Sequence, residues 1–134
     1  MTLYYTVAPN ITAPGDGDIF AVNVTNDSTV TCTAFALPPP TIEFFYNGMI
    51  LNRTDDETGI GDEIPMRVQV GQTLNPILID NGSYEVSRTL TLFNVRDERL
   101  TGFQCRAMNS IVELSLMPSD TAAFEFLVQG NHQF

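Results

Sequence analysis

The feature that most limits what this chain can become is its hydrophobic period. Apolar residues recur at every second position through Val30, Cys32 and Ala34, through Ile42, Phe44 and Tyr46, and through Phe103, Cys105 and Ala107. At that spacing successive side chains of an extended strand return to one face. Val, Thr, Phe and Tyr fill the runs, while Gly, Pro, Asn and Asp separate them, as half-buried pleated strands require. The pattern predicts strands over Leu3–Val7, Ile19–Thr25, Ser28–Ala36, Thr41–Tyr46, Met49–Leu51, Met66–Val70, Tyr84–Phe93, Gly102–Met108 and Ala122–Gln129, with no helix beyond a turn. Asn47-Gly48 marks a tight hairpin and Pro38-Pro39-Pro40 a break after the first cysteine run. Eight or nine short strands, with no repeat or linker dividing residues 1–134, predict a single all-β domain, a sandwich or a barrel.

Charge narrows the partners. The chain carries 16 acids and 6 bases, a net charge of −10, and every base is an arginine. Such a surface cannot neutralise a phosphate backbone, so nucleic acid is excluded as a partner. No apolar run approaches the roughly 18 residues a membrane helix needs, and direct insertion of this domain into a membrane is not expected. A signal peptide is not visible in the first twenty residues. Five of the ten asparagines nevertheless stand in Asn-X-Ser/Thr sequons: Asn10, Asn23, Asn26, Asn52 and Asn81. Chance would give about one and a half. The excess predicts glycosylation in the secretory pathway, and hence a piece of a larger, membrane-anchored protein.

Cys32 and Cys105 lie 73 positions apart, each on the core-facing side of its run. Two buried thiols can serve as apolar fillers. Together with the sequons they read instead as an inter-sheet disulfide formed in an oxidising compartment.

Catalysis fails on inventory. The one histidine, His132, is near the end of the sequence, and lysine is absent, so no nucleophile has a base beside it. The acids Asp55-Asp56-Glu57 and Asp62-Glu63 belong to a polar, glycine-containing stretch that offers no apolar pocket. That stretch and the Asp16-Gly17-Asp18 turn supply oxygens that a calcium ion accepts, but neither has the spacing of a calcium loop. Neither an enzyme nor a metal site is expected, and no cofactor.

Taken in order, Ser28-Thr29-Val30-Thr31-Cys32, Pro39-Pro40-Thr41-Ile42-Glu43-Phe44 with its Asn47-Gly48 turn, Leu90-Thr91-Leu92-Phe93-Asn94-Val95, Phe103-Gln104-Cys105-Arg106-Ala107-Met108-Asn109-Ser110 and Phe124-Glu125-Phe126-Leu127-Val128 resemble strands B, C, E, F and G of the immunoglobulin superfamily. The resemblance is to its V-set and I-set extracellular domains and covers nearly the whole chain. It implies a two-sheet Greek-key sandwich, sheets ABED and GFC, bridged by Cys32–Cys105. Three positions depart from the family: Phe44 stands for the usual tryptophan, Phe103 for the tyrosine two residues before the second cysteine, and Arg99 for an aspartate. The stretch Leu51–Ser83 leaves room for extra edge strands of the V type.

The resemblance implies an extracellular recognition module of a single-pass cell-surface receptor or adhesion protein, and more distantly resembles the ectodomain of an invertebrate receptor tyrosine kinase. It would bind a protein ligand or a second copy of itself. The alternative is a structural spacer domain of an intracellular filament protein. For the first reading the contact surface is expected on the GFC sheet. The sequons fall on the A and A′ side, after Leu51 and before strand E, and none falls on strand F or G. Parity turns Phe45 on strand C and Arg106 and Met108 on strand F outward, an aromatic, arginine and methionine set of the kind that anchors interfaces. A bulge that turned Phe45 inward would undo this. A second candidate is Ser110–Thr121, where Ile111, Val112 and Leu114 are apolar for a loop; the same residues could extend strands F and G as a ribbon.

Overall fold

Strands form where the two-residue period places them and assemble as two sheets packed face to face. The computed structural model describes residues 6–23, 28–51, 67–79, 82–93, 99–109 and 119–129. In chain order the strands are β1 (Val7–Ala13), β2 (Asp18–Asn23), β3 (Ser28–Leu37), β4 (Thr41–Tyr46), β5 (Met49–Leu51), β6 (Arg67–Val70), β7 (Ile77–Leu78), β8 (Tyr84–Phe93), β9 (Arg99–Met108) and β10 (Asp120–Gln129). One sheet has the order β1-β3-β8-β6, with β7 also on β8; the other runs β2-β10-β9-β4-β5. Every pairing is antiparallel except that of β2 with β10, which is parallel over six residues from Asp18↔Phe124 to Asn23↔Gln129.

Inward positions of both sheets close the core. Val30, Cys32, Ala34, Val86, Leu90 and Leu92 face Ile42, Phe44, Phe103, Cys105, Phe124 and Phe126, and all twelve are buried. Cys32 and Cys105 join the sheets by a disulfide. Phe44 sits directly opposite Cys105 in the ladder and meets Phe124 edge-on at 6.5 Å. Phe103 stacks on Phe124 at 5.7 Å and meets Phe126 edge-on at 5.4 Å. The two phenylalanines that replace the family's tryptophan and tyrosine therefore join one aromatic cluster, where each buried ring is worth about 1.5–3 kcal/mol of transfer free energy. The side chain of Arg99 lies outside the described residues.

Two strands differ from the sequence expectation. Of the strand expected over Leu3–Val7, residues 3–5 lie outside the described residues; the first described strand runs Val7–Ala13, through Pro9 and Asn10, where none was expected. Proline is tolerated because β1 is an edge strand, and the register shifts between Val7 and Asn10, on either side of Pro9. The second is β7, which the sequence did not reveal: residues 71–76 leave the regular ladder, and Ile77–Leu78 rejoins β8 opposite Glu85 and Tyr84. Residues 52–66, where extra edge strands of the V type were expected, lie outside the described residues.

The hairpin signal at Asn47-Gly48 is realised: φ is 51° and 83°, and the Asn47 N–H donates to Gly102 O at 2.8 Å. Gly102 is itself at φ 91°, beside the register shift between β9 and β10. A Cβ there would collide with the Asn47 side chain, so the turn and the glycine are matched.

Candidate protein-contact surface

The outer face of the β2-β10-β9-β4-β5 sheet carries the residues expected to contact a partner. The β4–β9 ladder runs without irregularity from Thr41↔Met108 to Tyr46↔Phe103, so parity holds and Phe45 faces outward. Ile50, Phe45, Gln104 and Ala123 form one cross-strand row, and Glu43, Arg106 and Thr121 the next. The Arg106 guanidinium lies over the Phe45 ring, 4.5 Å from its centroid. Its Nε is buried and has no hydrogen-bond partner among the described residues. A guanidinium over an aromatic face makes an amphipathic plate that a second protein can cover with little loss of hydration. Met108 lies farther along β9, opposite Thr41, whose hydroxyl donates to Met108 O at 3.2 Å. Ile111, Val112 and Leu114 lie outside the described residues.

Beside the row of Phe45 the face sinks into a depression of about 690 Å³. Gly17, Gly48, Gly102 and Ala123 line it, with Asp18 and Glu125 also among the lining residues. The hollow follows from the turn chemistry, because the positive φ angles of Gly17, Gly48 and Gly102 leave small residues where three strand ends meet.

Of the sequons, Asn10 is exposed on β1. Asn23 closes β2, and Asn26, Asn52 and Asn81 lie outside the described residues. The expectation that sequons spare the GFC sheet needs correction. β2 pairs with β10, so Asn23 belongs to the same sheet as Phe45 and Arg106. The cause is a crossing between sheets at residues 14–17, where the chain leaves β3's edge and joins β10.

Carboxylates fix that crossing. Asp16 Oδ1 accepts the Ala123 N–H at 2.8 Å while the Gly17 N–H donates to Ala123 O at 2.7 Å. Asp18 Oδ2 accepts the Gly15 N–H at 2.8 Å. The Asp16-Gly17-Asp18 turn, weighed above as a calcium ligand set, thus has its acids engaged on backbone. Asp120 does the same between sheets, accepting the Ile11 N–H through Oδ2 at 2.7 Å. Sequence reasoning also missed Arg88. It stands opposite Cys32 on the core side of β8, and donates from Nε to Gly71 O at 2.7 Å and from Nη1 to Ile42 O at 2.9 Å in the facing sheet. The signal was present: an arginine at an inward position of an otherwise apolar alternation must find acceptors.

No family model matches the sequence, and no curated protein matches it. Solved structures do. A chimeric titin Z1Z2 functionalized with a KLER peptide from decorin matches with a TM-score of 0.59 at 19% identity, over 95% of this chain and 100% of that one. The fold is immunoglobulin-like. The titin domains z1z2 in complex with telethonin match equally, TM-score 0.59 and 19% identity, over 96% of this chain and 50% of that one. Titin domain M7 matches with a TM-score of 0.55 at 12% identity, over 94% and 98%.

These neighbours correct the functional expectation. An extracellular module of a membrane-anchored receptor or adhesion protein, with an extracellular location, is overturned by matches to titin, an intracellular muscle filament protein, and the spacer alternative accords with them better. The likeness to a receptor tyrosine kinase ectodomain likewise finds no support among them; what they support is the immunoglobulin-like fold. The expectation rested on the sequons, a three-residue motif whose third residue Thr-rich strands supply without regard to compartment.

Proposed function

We propose that this chain is a non-catalytic spacer domain of an intracellular filament-type protein, a single module that bears load and offers its faces to other proteins. The observation that carries this reading is the parallel pairing of β2 with β10. β1 reaches Asp120 at the start of β10, β2 then follows β10 for six residues, and β10 leaves at the far end. Tension between the two ends of the described chain pulls β2 back toward its start and β10 toward its finish. The ladder is then sheared as a unit, which demands breaking its hydrogen bonds together instead of peeling them one by one. A domain strung in series gains mechanical resistance from that arrangement.

Support for protein contact comes from the titin z1z2 domains solved with telethonin. The plate formed by Arg106 over Phe45, with Met108 on the same strand, is the surface we assign to such contacts. Stretching the domain between handles at its two ends tests the mechanical role. Unfolding in one high-force step, reduced in Val22→Pro, is expected, because this substitution removes an N–H that β2 gives to β10, at a side chain that is only half-buried. Unfolding at a low force that Val22→Pro leaves unchanged would overturn it.

A further inference from the structure

Among the described residues each sheet edge but one is blunted. β1 carries Pro9 and two register shifts, β5 is three residues long, and the β6–β7 edge is interrupted by residues 71–76, which include Pro76. These are the usual defences against strand addition. β2 has none of them. It is six residues long, regular in register, free of proline, and uncharged from Ile19 to Asn23. Among the described residues no strand pairs with its outer edge.

Its free backbone groups can be named. The Ala123 N–H and C=O face the β2 side, on Asp16 and Gly17, so the odd-numbered residues of β10 bond to β2; in the parallel register Phe20 and Val22 are their partners, and Ile19 and Ala21 present their N–H and C=O groups outward. We propose that this edge pairs with the same edge of a second copy, antiparallel about a two-fold axis at Ala21. Ala21 then exchanges two hydrogen bonds with its own equivalent, and Ile19 and Asn23 exchange two more on either side of it, about six in all. Phe20 meets Val22 of the partner copy, and Val22 meets Phe20. The register places no charge opposite a like charge. On the outer face the exposed Leu127, Ala21's neighbour on β10, extends an apolar row across the junction. On the inner face the half-buried Phe20 and Val22, which pack against the core's rim, gain the cover they lack. Opposing this is the charge of −10 on each copy, so the association strengthens as salt screens it. The inference goes beyond the spacer reading and does not rest on it.

Sedimentation equilibrium of the full chain, at low and high salt, reads the mass. A reversible dimer that tightens with salt is expected, and Ala21→Lys, which sets two ammonium groups face to face at an exposed position, weakens it about tenfold or more while the melting temperature stays close to wild type. Register is read by oxidising single-cysteine variants. Ala21→Cys brings its equivalents to a Cα separation of about 5.5 Å, within disulfide range. Ile19→Cys leaves its equivalents four residues out of step, about 14 Å apart, beyond it. Covalent dimer from Ala21→Cys and little from Ile19→Cys supports the pairing. A single-chain mass at every concentration and salt, a dimer indifferent to Ala21→Lys, or equal cross-linking of both variants overturns it.

Discussion

Reduction of the Cys32–Cys105 bond is the perturbation that most directly tests the spacer reading, because its two consequences differ. The bond closes a loop with a sequence separation of 73. In the chain-entropy model, opening it removes about 4 kcal/mol of stability. A domain of this size commonly holds about 5–15 kcal/mol, and the aromatic cluster does not depend on the bond, so the reduced protein stays folded. Under tension the expected change is one of length. β2 and β10, which form the sheared ladder, both lie outside the loop. The first rupture force is therefore nearly the same in either state, but once it is passed the oxidised chain can extend only outside the loop. Reduction frees 73 residues more, about 240–260 Å of contour at full extension. Urea titration of both states gives the stability difference, and single-molecule stretching with and without reductant gives the length. A reduced protein that fails to fold would refute a spacer working in a reducing compartment. Equal contour lengths in the two states would refute the placement of the bond.

Three further outcomes follow from single contacts. Arg88→Leu leaves the carbonyls of Gly71 and Ile42 without their donor, and costs about 2–4 kcal/mol by urea denaturation; a change below about 0.5 kcal/mol would mean the bridge contributes nothing. Gly102→Ala combines positive φ with a collision at Asn47, and costs more than about 1 kcal/mol; the double variant with Asn47→Gly recovers part of that, and strict additivity would show that the two sites are not coupled. Asp16→Ala strands the Ala123 N–H and lowers stability by about 1–2 kcal/mol, whereas Asp16→Asn, which keeps an acceptor oxygen, loses less; equal losses would remove the capping role.

Most of the core was legible in the sequence, since period-two parity is a local property. It placed Cys32 and Cys105 inward, Phe44 and Phe103 among buried rings, and Phe45, Arg106 and Met108 outward, because an uninterrupted β4–β9 ladder preserves the parity of each strand. What parity cannot carry is the identity of a strand's neighbour. Nothing in Asp18–Asn23 distinguishes pairing with β3 from pairing with β10; the contact that accompanies the choice, Asp16 on the Ala123 N–H, joins residues more than a hundred positions apart. The same limit hid β1, whose proline is forbidden to a central strand and harmless at an edge. It hid Arg88 too, since its acceptors belong to residues distant in sequence.

The edge of β2 joins these strands of evidence. Crossing from one sheet to the other gives the domain its parallel ladder, and by the same step leaves β2 as an outer strand. A second copy can use that edge only once, because an antiparallel pair about a two-fold axis consumes both copies' edges and closes. Pairing β2 with the β6–β7 edge of another copy would not close, and would grow into a fibre. Against that outcome the chain sets the six residues between β6 and β7, which interrupt the receiving ladder. Leu74, Ile77 and Leu78, all more than half exposed, lie on the receiving edge. Its apolar character therefore makes the interruption, and not polarity, the safeguard. Deleting residues 72–75 to straighten that edge should convert a closed dimer into concentration-dependent polymer, seen by light scattering. A straightened variant that remains dimeric would show that the net charge of −10, and not the broken ladder, keeps the copies from polymerising.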